Sequence, residues 1–422
     1  MDASHFDANT VYAAVNRIRL DDMKPHIYRT KDGGKTWKEI TKGLPNDPIN
    51  AVREDPKRQG LLFAGSERAV YVSFDDGENW QTLRLNMPAT SIRDLVIKDD
   101  DIVVGTHGRS FWILDDITPL RQTTTPVSTA EATLFAPQNA YRVRWSMYTD
   151  TPLPQEEPAG DNPPEGAIIN YMLKEKAKGE VVLEIFNSVG QSVRRFSSND
   201  KPYKIPDVNI PLYWIRPQQI LSSEAGAHRF TWDMHYKPLD VSPQYPISAI
   251  YKNTAPDPTS PWVLPDNYTV KLTVNGKTYS QPLTVRLDPR VKTTAPDLTK
   301  QHDLSVQCYE GRQQTMAILE EITTVKKQLK DALTNAKTPV SDKLKTLETK
   351  ILALENTPQG NSEPNFSRLE SAFSSLFNIL HDTDMPPTSQ TISAVNENMG
   401  KMKTLMAQWQ EVKAGLKTAL GK

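Results

Sequence analysis

From the N-terminus to about residue 120, apolar and polar positions alternate in short runs at the two-residue period of half-buried strands. Val11-Tyr12-Ala13-Ala14-Val15, Ile49-Asn50-Ala51-Val52-Arg53, Leu61-Leu62-Phe63-Ala64-Gly65 and Asp101-Ile102-Val103-Val104-Gly105 are the clearest. From Thr118 to Pro164 the alternation dissolves into Pro, Thr, Gln and acidic residues. Thr123-Thr124-Thr125-Pro126 and the stretch from Asp150 to Pro158 read there as linker. Strand patterning returns in Gly179–Phe186, Ser192–Phe196 and His228–Met234, and in Asp266–Val274 with its two-residue loop Asn275-Gly276, a strong hairpin signal. Of the 32 prolines, 19 lie between residues 152 and 296, which excludes long helices there. Beyond Pro296 the period becomes helical. Ile318, Ile322, Val325, Leu329 and Leu333 form one stripe that Pro339 ends, and Leu344, Leu347, Ile351 and Leu354 a second. Phe366, Leu369, Phe373, Leu376 and Leu380 form a third, and Ile392 to Leu416 a fourth. Short connections between them predict antiparallel neighbours in a bundle or hairpin.

Within the first zone one turn recurs. Thr30-Lys31-Asp32-Gly33-Gly34-Lys35-Thr36-Trp37 is answered by Ser73-Phe74-Asp75-Asp76-Gly77-Glu78-Asn79-Trp80, with the aspartates 43 residues apart. A period near 40–50 residues marks β-propeller blades, each of which needs neighbours to cover its faces. Aspartate accepts from turn amides, glycine supplies positive φ, and the tryptophan offers a wedge between units. The turn resembles the Asp-box, or BNR, repeat; Thr30, Asp32, Gly34, Thr36 and Trp37 match fully, while Ser73, Asp75, Gly77 and Trp80 match with Asn79 where threonine is expected. The resemblance implies a structural turn away from any active face. A third unit runs from Ser91 through Gly105-Thr106-His107-Gly108-Arg109-Ser110-Phe111-Trp112 to Asp115. About two and a half blades are too few for a closed ring. Met1 is therefore expected to be an internal methionine with further blades before it; a small twisted sheet packed on the next domain is the alternative.

The expected fold class is mixed: mainly β in the N-terminal and middle parts, as partial propeller blades and an Ig-like β-sandwich, with an α-helical bundle or hairpin at the C-terminus. The expected divisions are blades at 1–120, a Pro-rich linker at 121–164, the sandwich at 165–295 and helices at 296–422. No Cys–Trp–Cys core exists, so the sandwich would be of the disulfide-free kind. Among 422 residues there is one cysteine, Cys308, which excludes an intrachain disulfide or a cysteine-based zinc site and reads as a small core residue. A net charge of −1 leaves no footprint for nucleic acid. No apolar run approaches the length that spans a bilayer, and no signal peptide is visible at the start.

Domain order extends the resemblance. Asp-box blades, the Gly-Thr-His-Gly-Arg-Ser-Phe-Trp strand, an Ig-like module ending Leu287-Asp288-Pro289-Arg290-Val291, and helices together resemble the C-terminal portion of large bacterial BNR proteins. Those proteins have sortilin-like propellers and often carry a "glycosyl hydrolase" label. The resemblance implies a periplasmic, cell-surface or secreted full-length protein whose partners are its own missing blades, and a glycan or protein ligand. A sialidase-type site would need three arginines, a tyrosine–glutamate pair and an acid from several blades, and no such set is complete here. No catalytic residue, cofactor or metal site is assigned. His107 and Arg109, flanked by glycines, are the candidate ligand contacts, since arginine can clamp a carboxylate; pinning the last blade to its neighbour is the other reading. Two functions stand. One is a non-catalytic propeller fragment with modules for assembly or for binding a partner or glycan. The other is part of a sialidase-like glycoside hydrolase whose site lies mostly in absent blades.

Overall fold

The computed structural model describes residues 1–124, 129–144, 160, 163–246, 252–335, 340–356 and 363–419. Thr125 and Pro126, the Asp150–Pro158 stretch and Pro339 lie outside them. The mixed fold class holds: β-sheets fill the N-terminal and middle parts, and long helices the C-terminal part.

Three antiparallel sheets come first. β1 (Asp2–Ala3), β2 (Val11–Ala14), β3 (Ile27–Thr30) and β4 (Lys38–Glu39) pair in chain order, as do β5 (Ile49–Glu54), β6 (Leu62–Ser66), β7 (Val70–Ser73) and β8 (Gln81–Thr82). The third sheet has only β9 (Ile92–Lys98), β10 (Asp101–Thr106) and β11 (Phe111–Leu114). The alternation seen in sequence sorts the middle sheet's side chains to two faces. Val52, Leu62, Ala64 and Tyr71 join Tyr12, Ile27 and Ile40 of the first sheet in one core. Ala51, Phe63, Val70 and Val72 join Ile92, Leu95, Ile102 and Val104 of the third in another. The middle sheet is thus covered on both sides, and all of β6 and β7 is buried. The third sheet is covered on one side only: Val96, Phe111 and Ile113, which the strand register places on its other face, are 51, 78 and 58 % exposed. The arrangement is a face-to-face stack of sheets, not one small twisted sheet.

In the third unit Asp116 stands two residues after the strand, as Asp75 does after β7. There the chain turns into the short helix α1 (Thr118–Gln122) instead of returning as a fourth strand. Asp116 Oδ1 accepts from the Thr118 amide at 3.1 Å, and its Oδ2 accepts from Asn170 Nδ2 at 2.7 Å. Arg229 donates to the Asp115 carbonyl at 2.7 Å. These bonds tie the stack to the sandwich.

The stretch 121–164, expected as a linker, contributes two sandwich strands. β12 (Ala132–Leu134) pairs antiparallel with β14 (Ala167–Leu173), and β13 (Ala140–Arg142) pairs parallel with the last strand of the second sheet. Three-residue strands are too short to show alternation; long neighbours hold them in place. The sandwich is completed by β15 (Val182–Phe186), β16 (Ser192–Ser197), β17 (Gly226–Trp232), β18 (Asp266–Val274) and β19 (Lys277–Leu287). One sheet runs β12-β14-β17, the other β13-β19-β18-β15-β16. Between them lies a core that includes Ile169, Tyr171, Leu183, Ile185, Trp232, Val270 and Leu272. Asn275 and Gly276 take φ of 49° and 79°, the left-handed pair a tight hairpin between β18 and β19 requires.

The helices are α2 (Ala295–Asn335), α3 (Val340–Glu355), α4 (Phe366–His381) and α5 (Ser389–Ala419). Asn365 caps α4, its side chain accepting from the Arg368 amide at 2.9 Å. Apolar stripes on all four meet in one core, with Cys308, Phe373 and Val395 fully buried. Met402 is buried, and Met399 and Met406 pack against the same core. None of the described helices is long and apolar enough to cross a membrane.

Candidate functional site

The repeated turns are built alike. Asp32 Oδ1 accepts from the Thr36 amide at 2.9 Å and from Thr30 Oγ1 at 2.8 Å, and Oδ2 accepts from Thr36 Oγ1 at 2.6 Å. Asp75 Oδ1 accepts from the Asn79 amide at 2.8 Å and from Ser73 Oγ at 2.9 Å, and Oδ2 from Asn79 Nδ2 at 2.7 Å. The Asn79 amide therefore replaces the threonine hydroxyl without loss of a bond. The Gly34 and Gly77 amides donate to Thr30 Oγ1 and Ser73 Oγ, each at 2.9 Å. The Thr36 bonds draw the Asp32 carboxyl down to about 2. Both oxygens of each aspartate are taken up by the turn itself.

Trp80 wedges between the first two sheets. It is 5 % exposed, its amide donates to the Lys42 carbonyl at 2.9 Å and its Nε1 to the Ile40 carbonyl at 2.7 Å. Gly77 has φ of 84°, and a Cβ there would run into Ile40, so only glycine lets the turn lie this close. Trp37, the matching residue of the first sheet, is 44 % exposed and bonds only within its own turn, to the Gly34 carbonyl at 3.2 Å. The two tryptophans share a motif and differ in having a sheet to pack on.

His107 and Arg109 sit on the β10–β11 hairpin, where Gly108 and Ser110 take φ of 81° and 59°. Their backbones are pinned: the His107 amide donates to the Ser91 carbonyl at 2.8 Å, and the Arg109 carbonyl accepts from Trp112 Nε1 at 2.9 Å. Their side chains are exposed and enter no hydrogen bond or ion pair among the described residues. The other two hairpins of the stack share this end. Asn16 Nδ2 donates to Asn50 Oδ1 at 2.5 Å, and Glu67 Oε1 accepts from Asn50 Nδ2 at 2.9 Å and from Arg93 at 3.2 Å. Burial would raise the Glu67 carboxyl, yet the Ser91 side chain first, then Asn50, the Arg93 charge and Asn16, hold it below its usual range. Arg68 and Arg93 were not legible as site residues; nothing in sequence says that their hairpins meet His107.

Among the described residues there is one tyrosine–glutamate contact, Tyr12 Oη to Glu54 Oε1 at 3.3 Å, with both residues 1 % exposed. Tyr12 gives its stronger bond to Asp76 Oδ1 at 2.6 Å. Burial and then the Asp76 and Glu54 carboxylates push the phenol far above its ordinary range, opposite to what a nucleophile needs. Asp76 is in turn held by Arg29 at 2.7 Å and Lys31 at 2.8 Å. The set locks the second sheet's turn onto the first sheet.

A second polar cluster joins sandwich and helices. Arg142 and Arg144, from the stretch expected to be linker, both donate to Asp384 Oδ1, at 2.7 and 3.0 Å, and lie over the Trp262 ring. His235 Nδ1 faces the Asp233 carbonyl at 2.8 Å and so carries the proton; its bare Nε2 accepts from His381 Nε2 at 3.0 Å. Burial first, and the nearby arginines after it, depress His235 to about 3; burial first, then His235 and the arginines, keep His381 well below the usual imidazole range. A solvent-open cavity of about 560 Å³ adjoins this joint, lined by Arg144, Lys292, Thr293, Asp297, Asp384 and Met385 among others. Among the described residues no three His, Cys, Asp or Glu side chains converge to hold a metal.

No protein-family model and no curated protein matches the sequence. Among solved structures, the extracellular domain of a hybrid two-component system protein from B. thetaiotaomicron aligns at 11 % identity and a TM-score of 0.18, over 63 % of this chain and 28 % of that one. An ancestral GH74 enzyme aligns at 9 % identity and a TM-score of 0.22, over 64 % of this chain and 51 % of that one. The chain thus spans about a quarter and about half of the lengths of these two proteins.

Proposed function

We propose that this chain is a non-catalytic portion of an extracytoplasmic Asp-box propeller protein, in which the sandwich and helices support assembly or partner binding. His107 and Arg109 serve as ligand contacts on the hairpin end of the blades. The observation that carries the reading is the unequal burial of the stack: the middle sheet is covered on both faces, while the third leaves Phe111 and Ile113 open and the first leaves Trp37 open. Such faces fit further sheets of the same build. The hydrolase reading is less favoured because the one tyrosine–glutamate contact among the described residues is sealed in the core and its tyrosine is made less acidic.

Two assays test this. The chain should release no reducing sugar and no sialic acid from a glycan panel; release would overturn the non-catalytic reading. Phe111→Ser with Ile113→Ser should lower binding of an apolar-surface dye and leave the melting temperature within a few degrees, because those side chains cover nothing here. Loss of folding in that variant would show the face to be part of the chain's own core.

A further inference from the structure

We propose that the hairpin end of the second and third sheets is a docking face for a linear anionic polysaccharide, a proposal that rests on the non-catalytic binding role assigned to His107 and Arg109. The backbone places the cations together. The Thr90 amide donates to the Arg68 carbonyl at 3.3 Å, Thr90 Oγ1 to the His107 carbonyl at 3.4 Å, and the His107 amide to the Ser91 carbonyl. Arg68 and the His107–Arg109 hairpin therefore flank one short segment, residues 90–93, which itself carries Arg93.

Depth separates the charges. The Arg68 and Arg93 side chains are 70 and 52 % exposed and Arg109 is exposed, whereas their carboxylates lie beneath: Asp47 at 2 % and Glu67 at 19 %. Asp47 is bonded from below by Ser66 Oγ and lies 3.8 Å from Arg68 Nε, too far for a hydrogen bond. Among the described residues Arg109 has no carboxylate partner. From solvent this end presents guanidinium groups, while Thr90 is buried and Asn50 half-buried. Guanidinium forks suit carboxylate and sulfate equally. Stacked sheets lie about 10 Å apart, so cations on successive hairpins recur at that interval and suit a polymer whose charges recur along it. An acidic protein surface is the competing occupant, which polyglutamate represents in the test below.

The net charge of −1 makes the test sharp, since the chain as a whole has no attraction for polyanions. Binding of the full chain to polygalacturonate, dextran sulfate, neutral dextran and polyglutamate should be measured at low and moderate salt. Retention by one or both anionic polysaccharides, weakened by salt, is expected; which one is held tells carboxylate from sulfate. The triple variant Arg68→Gln/Arg93→Gln/Arg109→Gln should lose at least about tenfold in affinity (about 1.4 kcal/mol). The three arginine-to-lysine replacements should keep most of the salt-sensitive binding, and Arg195→Gln, on the sandwich, should change nothing. No retention, retention that survives the glutamine variant, or equal binding of polyglutamate would overturn the proposal. Those results would leave the sheet-face and glycan-release tests standing, so the two readings fail separately.

Discussion

Acid should loosen the joint between sandwich and helices, and the size of the effect follows from two buried imidazoles. His235 and His381 share one hydrogen bond in a pocket that also holds Arg142 and Arg144, so each must stay neutral in the folded protein. In the unfolded chain both take up a proton near pH 6.5. The unfolded state then binds more protons than the folded one throughout the interval from about 6.5 down to His235's value near 3. Stability is complete above that interval and is lost as pH falls through it. Each group contributes about 1.4 kcal/mol per pH unit, so falling from pH 6.5 to 5 removes about 2 kcal/mol per histidine and about 4 for the pair. A domain stable by about 5–15 kcal/mol would feel that strongly. Urea melts followed by tryptophan fluorescence at pH 7.5, 6.5, 5.5 and 5.0 measure it. The double variant His235→Gln/His381→Gln should start less stable at pH 7.5 but show a slope shallower by about 2.7 kcal/mol per pH unit below 6. Equal slopes in wild type and variant would refute the claim that neutral imidazoles sit in this joint.

Other outcomes follow from the same contacts. Asp384→Asn leaves two guanidinium groups without their shared carboxylate and should cost about 3–5 kcal/mol in a denaturant melt, because Arg142 and Asp384 are both buried. Trp80→Ala should cost about 3–5 kcal/mol, whereas Trp37→Ala should cost about 0.5 kcal/mol or less, as expected of a side chain with no neighbouring sheet; thermal melts of the two variants decide this. Asn79→Thr restores the hydroxyl found at Thr36 and should leave the melting temperature unchanged, while Asp75→Ala removes three bonds and should lower stability by about 2 kcal/mol.

The Asp-turns were readable in sequence because every group they need lies within eight residues, so local chemistry alone sets their geometry. The same holds for the Asn275-Gly276 hairpin and for the helical stripes past residue 296, where the apolar period outlasts any local ambiguity. Strands β12 and β13 were hidden, since three residues carry no period and their order comes from the long strands beside them. His107 and Arg109 stood out through their glycines. Arg68 and Arg93 did not, because their nearness arises only when three hairpins stack.

By itself the amino-acid order determined the kinds of element and the closed hydrogen-bond circuits of the turns, which depend on offsets of two to four residues. Tertiary packing alone decided which of two equivalent tryptophans is buried, that a tyrosine and a glutamate 42 positions apart meet in a sealed core, and that arginines from the proline-rich stretch brace the helices. Local pattern fixes hydrogen bonds between near neighbours; burial and charge compensation depend on which distant surfaces come to cover a group, and no short-range pattern records that.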